Sequence, residues 1–587
     1  MILKFWYKTK IIKQRGGFNP MKNNTKVIIA LGVVLVLVLG IWFAVGRSPV
    51  EEPVAEEPVV EEEEEEEPVA EEPDDAIKPP VAGQPTTLPL VEPGTVRIRI
   101  ATNDNHYAPA SYEAGLPVWN ELERLTGVIV EWELIPAAEL PTVMGTRLAA
   151  GVDLPDFFWV PGGNPLPFVA DGVIKDITDL IRDHGPYTTA FLKDQPDVRK
   201  ELTAPDGRIY HFASVVSGTD TGDPSGWLIR QDWLDYLGLE MPTSIDEWVE
   251  VWRAFKLRDP NQNDLADEIP LTVRGIHEVG RFGDAWGLQL YWFRHGWRVE
   301  NERVVYDWID PRTQSFLRFA HKIYEEGLLD PDFLTQTAGD RLGKIARNLV
   351  GSVDRWILHT TGFTDAARDG GDPNADYAVA PPPSGPYGYR GHQSRYGVTE
   401  GMFSFSTTME HPEIFMRWVD FMYASPVGNM LATFGIEGQS YNIVNGEPVF
   451  SDWVFNHPEG LGLGDALRSL GAKPTIPWIR AATGPFSKQP RALIANNPEL
   501  LAAVEQVEPF LIHPMPRVLP THEESEEMTR LLADIDTFRL ETIAQFIVGD
   551  RDLEEEWDDY VAQMKALGIE RVIEIRQQMY DRWLALE

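Results

Sequence analysis

GWLIRQDWLDYLGLEMPTSIDEWVEVWRAFKLRDPNQNDLADEIPLT, residues 226–272, sets a strand, two helices and an acidic loop one after another. Trp233, Leu234, Tyr236 and Leu237 recur at helical spacing until Gly238, a residue suited to the left-handed turn that ends a helix. Thr243 or Ser244 then offers an N-cap, with Asp246 and Glu247 in the first turn, before Trp248, Val249, Trp252 and Phe255 line one face of a second helix. At the exit of that helix, Asp259, Asn261, Asn263, Asp267 and Glu268 place oxygen side chains at close intervals, and the carbonyl of Leu265 falls between them. Calcium takes about six to eight oxygens, and alternate positions of a tight loop point theirs inward. The loop departs from an EF-hand: its sixth position is not Gly, and its twelfth is Pro270 instead of a bidentate Glu. A solvated turn capped by Asp and Asn is the competing reading of the same spacing.

This passage resembles the extracellular solute-binding proteins of sugar and oligosaccharide ABC importers, in particular the large lipoprotein type that includes alginate-binding proteins. Arg230-Gln231-Asp232-Trp233-Leu234, then Leu237-Gly238, Pro242-Thr243, Ala254-Phe255 and the loop of Asp, Asn, Asn and Asp-Glu carry the likeness. It extends over about residues 95–587 and is most specific at 226–272 and 523–583. The resemblance implies an α/β, two-lobed, periplasmic-binding-protein-like fold with a hinge. It also implies a structural calcium held by Asp259, Asn261, Asn263, Leu265, Asp267 and Glu268, clamping a loop of the second lobe.

Outward from there, 587 residues with a net charge of −39 suffice for two substantial cores and argue against a nucleic-acid partner, which needs a basic surface. The chain has no cysteine, hence no disulfide, no thiolate metal site and no lipobox cysteine; the last is a departure from the lipoproteins it resembles. Val27–Val45 is an uncharged apolar run of about one bilayer span. Lysines and an arginine precede it and acidic residues follow, so the positive-inside bias sets residues 1–26 in the cytoplasm and the bulk of the chain outside a cell membrane crossed once. Met21 is an alternative start, and Ala44 and Gly46 leave cleavage as a signal sequence open. Residues 46–93 read as a disordered Glu/Pro-rich stalk: residues 51–75 hold 15 acidic and no basic side chains.

The folded part begins with a strand, Thr95–Ala101, that empties into Thr102-Asn103-Asp104-Asn105-His106. Strands and helices then alternate to Phe157–Val160, and a Gly/Thr/Ser-rich stretch near 213–225 reads as the first crossing to a second lobe. Leu349–Val353 reads as a strand returning to the first lobe. The resulting division is 94–215 plus 346–400 for lobe one, and 216–345 plus 401–587, with C-terminal helices, for lobe two.

A sugar ring presents a C–H face and a hydroxyl rim, so a saccharide cleft needs flat aromatics edged by polar groups. With 19 Trp and 17 Tyr the chain is well supplied. Strand ends nominate Trp159, Trp286, Trp356 and Tyr441 as platforms, and Asn103, Asp104, His106, Asp354 and Arg355 as polar partners. Trp233, Trp248, Trp252, Trp418 and Trp583 sit at helical spacing and are assigned to packing. The sequence contains no nucleophile elbow, phosphate loop or metalloprotease helix. That absence does not exclude a glycosidase, for which two nearby carboxylates suffice; the resemblance implies a non-enzymatic role, that of a monomeric, membrane-tethered binding protein that captures an oligosaccharide for the permease subunits of an importer. A tethered sensor or adhesin of the same fold, and a surface carbohydrate-active enzyme, are the alternatives.

Overall fold

The computed structural model describes residues 87–107, 109–217, 225–291, 295–357, 359–393, 397–399, 402–459, 461–481 and 498–586. The apolar run at 27–45 and the Glu-rich segment lie outside these, and no helix among the described residues is long and apolar enough to cross a membrane. The stalk expected to reach residue 93 gives way earlier. Leu90 is buried in the first core, with Leu88 and Val91 packed beside it, because three apolar side chains in a short Pro-rich stretch find the end of the first helix.

In chain order the principal elements are β1 (Val96–Thr102), α1 (Pro117–Thr126), β2 (Val128–Leu134), α2 (Leu140–Ala150), β3 (Phe157–Trp159), β4 (Val215–Ser217), β5 (Ser225–Arg230), α3 (Gln231–Leu237), α4 (Ile245–Leu257) and β6 (Ile269–Thr272). They continue with α5 (Pro311–Glu325), α6 (Ala338–Ala346), β7 (Val350–Trp356), α7 (His359–Asp369), β8 (Tyr377–Ala380), β9 (Gly397–Val398), β10 (Phe403–Phe405), α8 (Pro412–Ala424), β11 (Ile479–Ala481), α9 (His522–Val548), α10 (Leu553–Ala566) and α11 (Ile569–Ala585).

Two four-stranded sheets organise the lobes. In the first the order is β10-β3-β1-β2, with β1 parallel to both β2 and β3 and with β10 antiparallel to β3. In the second the order is β8-β5-β7-β6, with β6 parallel and β5 antiparallel to β7. This corrects the expected division: residues 350–356, read as returning to lobe one, are a central strand of the second sheet. Conversely β10 and α8 belong to the first lobe, where Phe403, Phe405, Phe415 and Trp418 join the core of Ile98, Ile100 and Phe157. A strand buried along most of its length has no alternation to match to one sheet, so its sheet membership is set by tertiary pairing alone. The three segments that cross between lobes, β4, β9 and β11, lie side by side as a small separate sheet in the order β9-β4-β11.

The second core is built on the opening stretch. Ser244 caps α4 by accepting from the Glu247 N–H while Glu247 reaches back to the cap, a reciprocal arrangement that satisfies two otherwise orphaned donors. Trp248, Trp252 and Phe255 then turn inward with no exposed surface. Trp252 also donates Nε1–H to Ser352 Oγ of β7 at 2.9 Å, fixing α4 against the sheet. The C-terminal helices close the same core, since Ile543, Phe546, Trp557 and Tyr560 cluster with Trp248 and Trp252. The packing role expected of Trp233, Trp248, Trp252 and Trp418 is what the fold gives them.

Candidate functional site

The candidate side chains fall in two places: the loop leaving α4, and the strand ends near the crossings. In the loop, the chain passes through the left-handed region at Asp259, Gln262 and Asp264, with φ of 45°, 57° and 61°, which coils residues 259–264 tightly. The Asp259 carboxylate accepts from the backbone N–H groups of Asn263 at 3.1 Å and Asp264 at 3.0 Å. Asn263 Oδ1 accepts from Leu265 N–H at 2.7 Å. Both amides also converge on one acceptor, Asn261 and Asn263 donating to Asp267 Oδ1 at 3.2 and 3.0 Å. Asn261 reaches in addition to the carbonyl of Asn348 at 3.2 Å, which ties the loop to the entrance of β7.

Glu268 stands apart. Its side chain is buried, yet both carboxylate oxygens lack a hydrogen-bond partner. Burial, and then the neighbouring Asp259 and Asp267, push its carboxyl above the ordinary glutamate value. A buried orphan carboxylate beside two others is costly by itself, and this is the observation that fits the loop to a hard cation. A half-turn of each Asn amide would exchange its N–H for an oxygen, and the five side chains and the Leu265 carbonyl would then offer only oxygens, the donor type calcium prefers. The three carboxylates are not drawn together as tightly as a metal cluster; no group of three His, Cys, Asp or Glu arranged to hold a metal occurs among the described residues.

At the end of β1, the expected polar loop is held by lobe-one contacts. Thr475 Oγ1 donates to the carbonyl of Asn103 at 3.1 Å. The Asp104 carboxylate accepts from Asn105 N–H at 2.7 Å and Tyr112 N–H at 3.1 Å, so it shapes the turn. Asn105, which strand-end logic passed over, is the buried residue: its amide donates to the carbonyls of Ala110 at 2.7 Å and Arg468 at 2.8 Å. Asn103 is half-buried and His106 exposed. Trp159 is half-buried at the end of β3, opposite Phe403.

At the end of β7, Arg355 and Trp356 are half-buried and stand opposite Gly226 and Ser225 of β5, where the first crossing arrives. Asp354 is placed differently from expectation. It is 1 % exposed and ion-paired with Arg281 Nε at 2.5 Å. Arg281 in turn lies over the Tyr291 ring, 3.6 Å from its centroid, so Asp354 serves a buried polar core and offers no free edge to a ligand. Two aromatic candidates are corrected for the same reason. Trp286 is 2 % exposed, donates Nε1–H to Ser315 Oγ at 3.0 Å and packs on Phe316 and Phe319. Tyr441 is buried against Phe434 with its centroid 5.5 Å away. Both stand at element ends in sequence, but the end that faces a core and the end that faces a cleft look alike there.

His359, the first residue of α7, has an exposed side chain; desolvation by the surrounding chain, and then the charges of Arg355, Arg341, Arg468 and Lys473, push its imidazole down. Arg341 and Arg355 come from the second lobe, whereas Arg468 and Lys473 come from the first, on the segment that braces Asn103 and Asn105. The sequence offered no signal for Arg468, Lys473 or His359, which lie far apart in the chain and outside any motif.

Comparison with known proteins follows the same lines. No family model matches the chain. The fructooligosaccharide ABC transporter substrate-binding protein FusA of Streptococcus pneumoniae is 25 % identical over 521 residues, covering 85 % of this chain and 92 % of that protein. Lipoprotein LipO of Bacillus subtilis is 25 % identical over 489 residues, covering 81 % and 90 %. Among solved structures, the alginate-binding protein AlgQ2, determined without calcium ion, has a TM-score of 0.69 at 26 % identity over 84 % of this chain and 99 % of its own. An EF-hand mutant of FusA in complex with fructo-nystose superposes with a TM-score of 0.66 at 21 % identity over 84 % of this chain, a likeness of fold.

Proposed function

From homology with the substrate-binding proteins of ABC transporters, which are not enzymes, we propose that this chain captures an oligosaccharide between its two lobes and delivers it to an importer. The observation that carries the reading is the layout at the crossings. Three strands, β4, β9 and β11, stand between two separately cored sheets; the end of β1 is held by Thr475, just before β11, the end of β3 pairs with Phe403, just after β9, and the end of β7 pairs with Ser225 and Gly226, just after β4. A ligand that touches both lobes stabilises the closed arrangement through contacts absent from the open one, and a permease reads that difference. Trp159 and Trp356 serve as the aromatic platforms, with Asn103, His106 and Arg355 as polar partners; Asp104 orders the loop that carries Asn103 and His106. The run at 27–45 tethers the protein to the membrane, with the bulk of the chain outside. Calcium acts in the loop at 259–268 as a structural ion, remote from the saccharide.

Thermal unfolding of the full chain across mono- and oligosaccharides tests the reading. One saccharide series is expected to raise the melting temperature selectively, by the amount that mass action gives, about 2.7 kcal/mol at a hundredfold excess over Kd, and the sugar is recovered unchanged. A panel with no shift, or sugar returned cleaved, would overturn it.

A further inference from the structure

We propose that the first lobe carries a second binding site, a cavity between α1 and β2 that takes a small quaternary ammonium cation. The cavity shares no lining residue with the strand ends assigned to the saccharide, and the proposal stands independently of that reading.

The cavity measures about 250 Å³; Tyr112, Trp119, Trp132 and Trp418 form its aromatic walls, and Glu113 and Glu123 lie at its edge. α1 runs into β2 through Gly127, so a ring on the inner face of the helix comes down on a ring of the strand. Trp119 and Trp132 meet with centroids 4.8 Å apart and planes at 79°. Two rings set edge to face leave an inside corner to which each presents a face. Tyr112 stacks on Trp132 at 4.6 Å and stands at 81° to Trp119. These walls are fixed in advance. Tyr112 donates its N–H to the Asp104 carboxylate at 3.1 Å, and its hydroxyl accepts from Thr475 N–H at 3.0 Å. The Nε1 edge of Trp119 lies against Gly471, where a Cβ would stand 2.8 Å from Trp119 Cδ1 and 3.0 Å from Nε1. Trp132 is half-buried, whereas Trp418 has no exposed surface and is the innermost wall.

Charge decides what fits. Glu113 and Glu123 are exposed and neither is ion-paired among the described residues, since Arg124 is taken by Glu121 at 2.7 Å. No Lys or Arg lines the cavity. Ring faces attract a cation, and two uncommitted carboxylates add to that attraction while repelling an anion. A neutral sugar would also lie on aromatic walls, but its hydroxyls need donors as well as acceptors. The Asn120 amide already donates to the Gly115 carbonyl at 2.7 Å, and the Trp119 Nε1 edge is turned to Gly471, so donors are short. A quaternary ammonium needs no acceptor for an N–H and offers only methyl groups to the rings, which is the chemistry these walls match.

Calorimetric titration of the full chain with tetramethylammonium and choline tests this, beside the neutral isostere of choline in which carbon replaces nitrogen. The cations are expected to bind about two- to thirtyfold more tightly than the isostere, with affinity falling as salt rises. Phosphocholine should bind more weakly than choline, because its phosphate meets the two glutamates; that order separates a free cation from a lipid headgroup. Trp132→Ala should weaken choline by about the same two- to thirtyfold, and Trp132→Phe should restore part of the loss. Glu123→Gln, a change at an exposed side chain, should weaken choline in the same direction, so the test stands if the Trp132 variants fold poorly. Isostere or phosphocholine bound as tightly as choline would overturn the proposal, as would choline binding untouched by both Trp132→Ala and Glu123→Gln. So would a neutral monosaccharide that binds and is lost with Trp132→Ala while the cations give no heat.

Discussion

Saturating calcium raises the melting temperature of the full chain by several degrees, and Asp267→Ala abolishes the rise. The expectation comes from the donor set at 259–268, where Glu268 is buried with both oxygens unsatisfied and two further carboxylates nearby. An ion that binds the folded loop and not the unfolded chain adds about 2.7 kcal/mol at a hundredfold excess over Kd. A unit of roughly 150–250 residues, the size of the second lobe, shifts by about 2–4 °C per kcal/mol, which puts the gain at about 5–10 °C. The pH dependence has a definite sign. Glu268 has its folded-state value raised above the unfolded one, first by burial and then by Asp259 and Asp267. In calcium-free protein its contribution to stability is therefore present below the ordinary glutamate range and lost as pH rises through the elevated folded value. The calcium increment should be largest near neutral pH and should shrink on acidification, as protons take over the ion's task. Melting curves with calcium and with chelator at several pH values measure it. A melting temperature indifferent both to chelator and to Asp267→Ala would leave the loop as a capped turn, with Asp259 and Asn263 performing the capping already seen.

The features legible in the sequence are those set by local chemistry. Ser244 and Glu247 declare a helix start wherever they are placed, Gly238 ends α3 at a φ of 65°, and aromatic residues spaced around α4 must bury one face. Each signal lies within a few residues. The sheet membership of β7 was not legible, because VGSVDRW is buried along most of its length and would suit either sheet; only pairing with β5 and β6 decides. The cleft was half legible for a similar reason. Asn103, Trp159, Arg355 and Trp356 stand at strand ends, whereas Arg468 meets Asn105 and Thr475 meets Asn103 through contacts more than a hundred residues long in sequence. Strand ends also misassigned Trp286 and Tyr441, since an end that meets a core and one that meets solvent carry the same residue types.

Asp354→Ala destabilises the second lobe by about 3–5 kcal/mol, more than it changes any affinity for sugar. Removing the carboxylate takes from Arg281, a cation only 2 % exposed, its ion-pair partner at 2.5 Å and leaves it to the Tyr291 ring and the more distant Asp284. The reciprocal change, Arg281→Ala, leaves a buried anion and should cost a similar amount. The double replacement Arg281→Met with Asp354→Leu removes both charges at comparable volume and should recover most of the loss, because desolvating two ions cancels much of their attraction. Titration adds a second readout. Burial pushes Asp354 up to about 6 against the pull of Arg281, so its stabilising share is present below the ordinary aspartate range and is lost as pH rises through about 6. The double variant should flatten that part of the stability curve. Denaturant melts of the four proteins at pH 5 and pH 7.5, with binding measured in parallel, separate the two roles that sequence and structure assign to this residue. If Asp354→Ala melts like the parent and fails to bind saccharide, Asp354 returns to the ligand set; a less stable variant with unchanged affinity keeps it in the core.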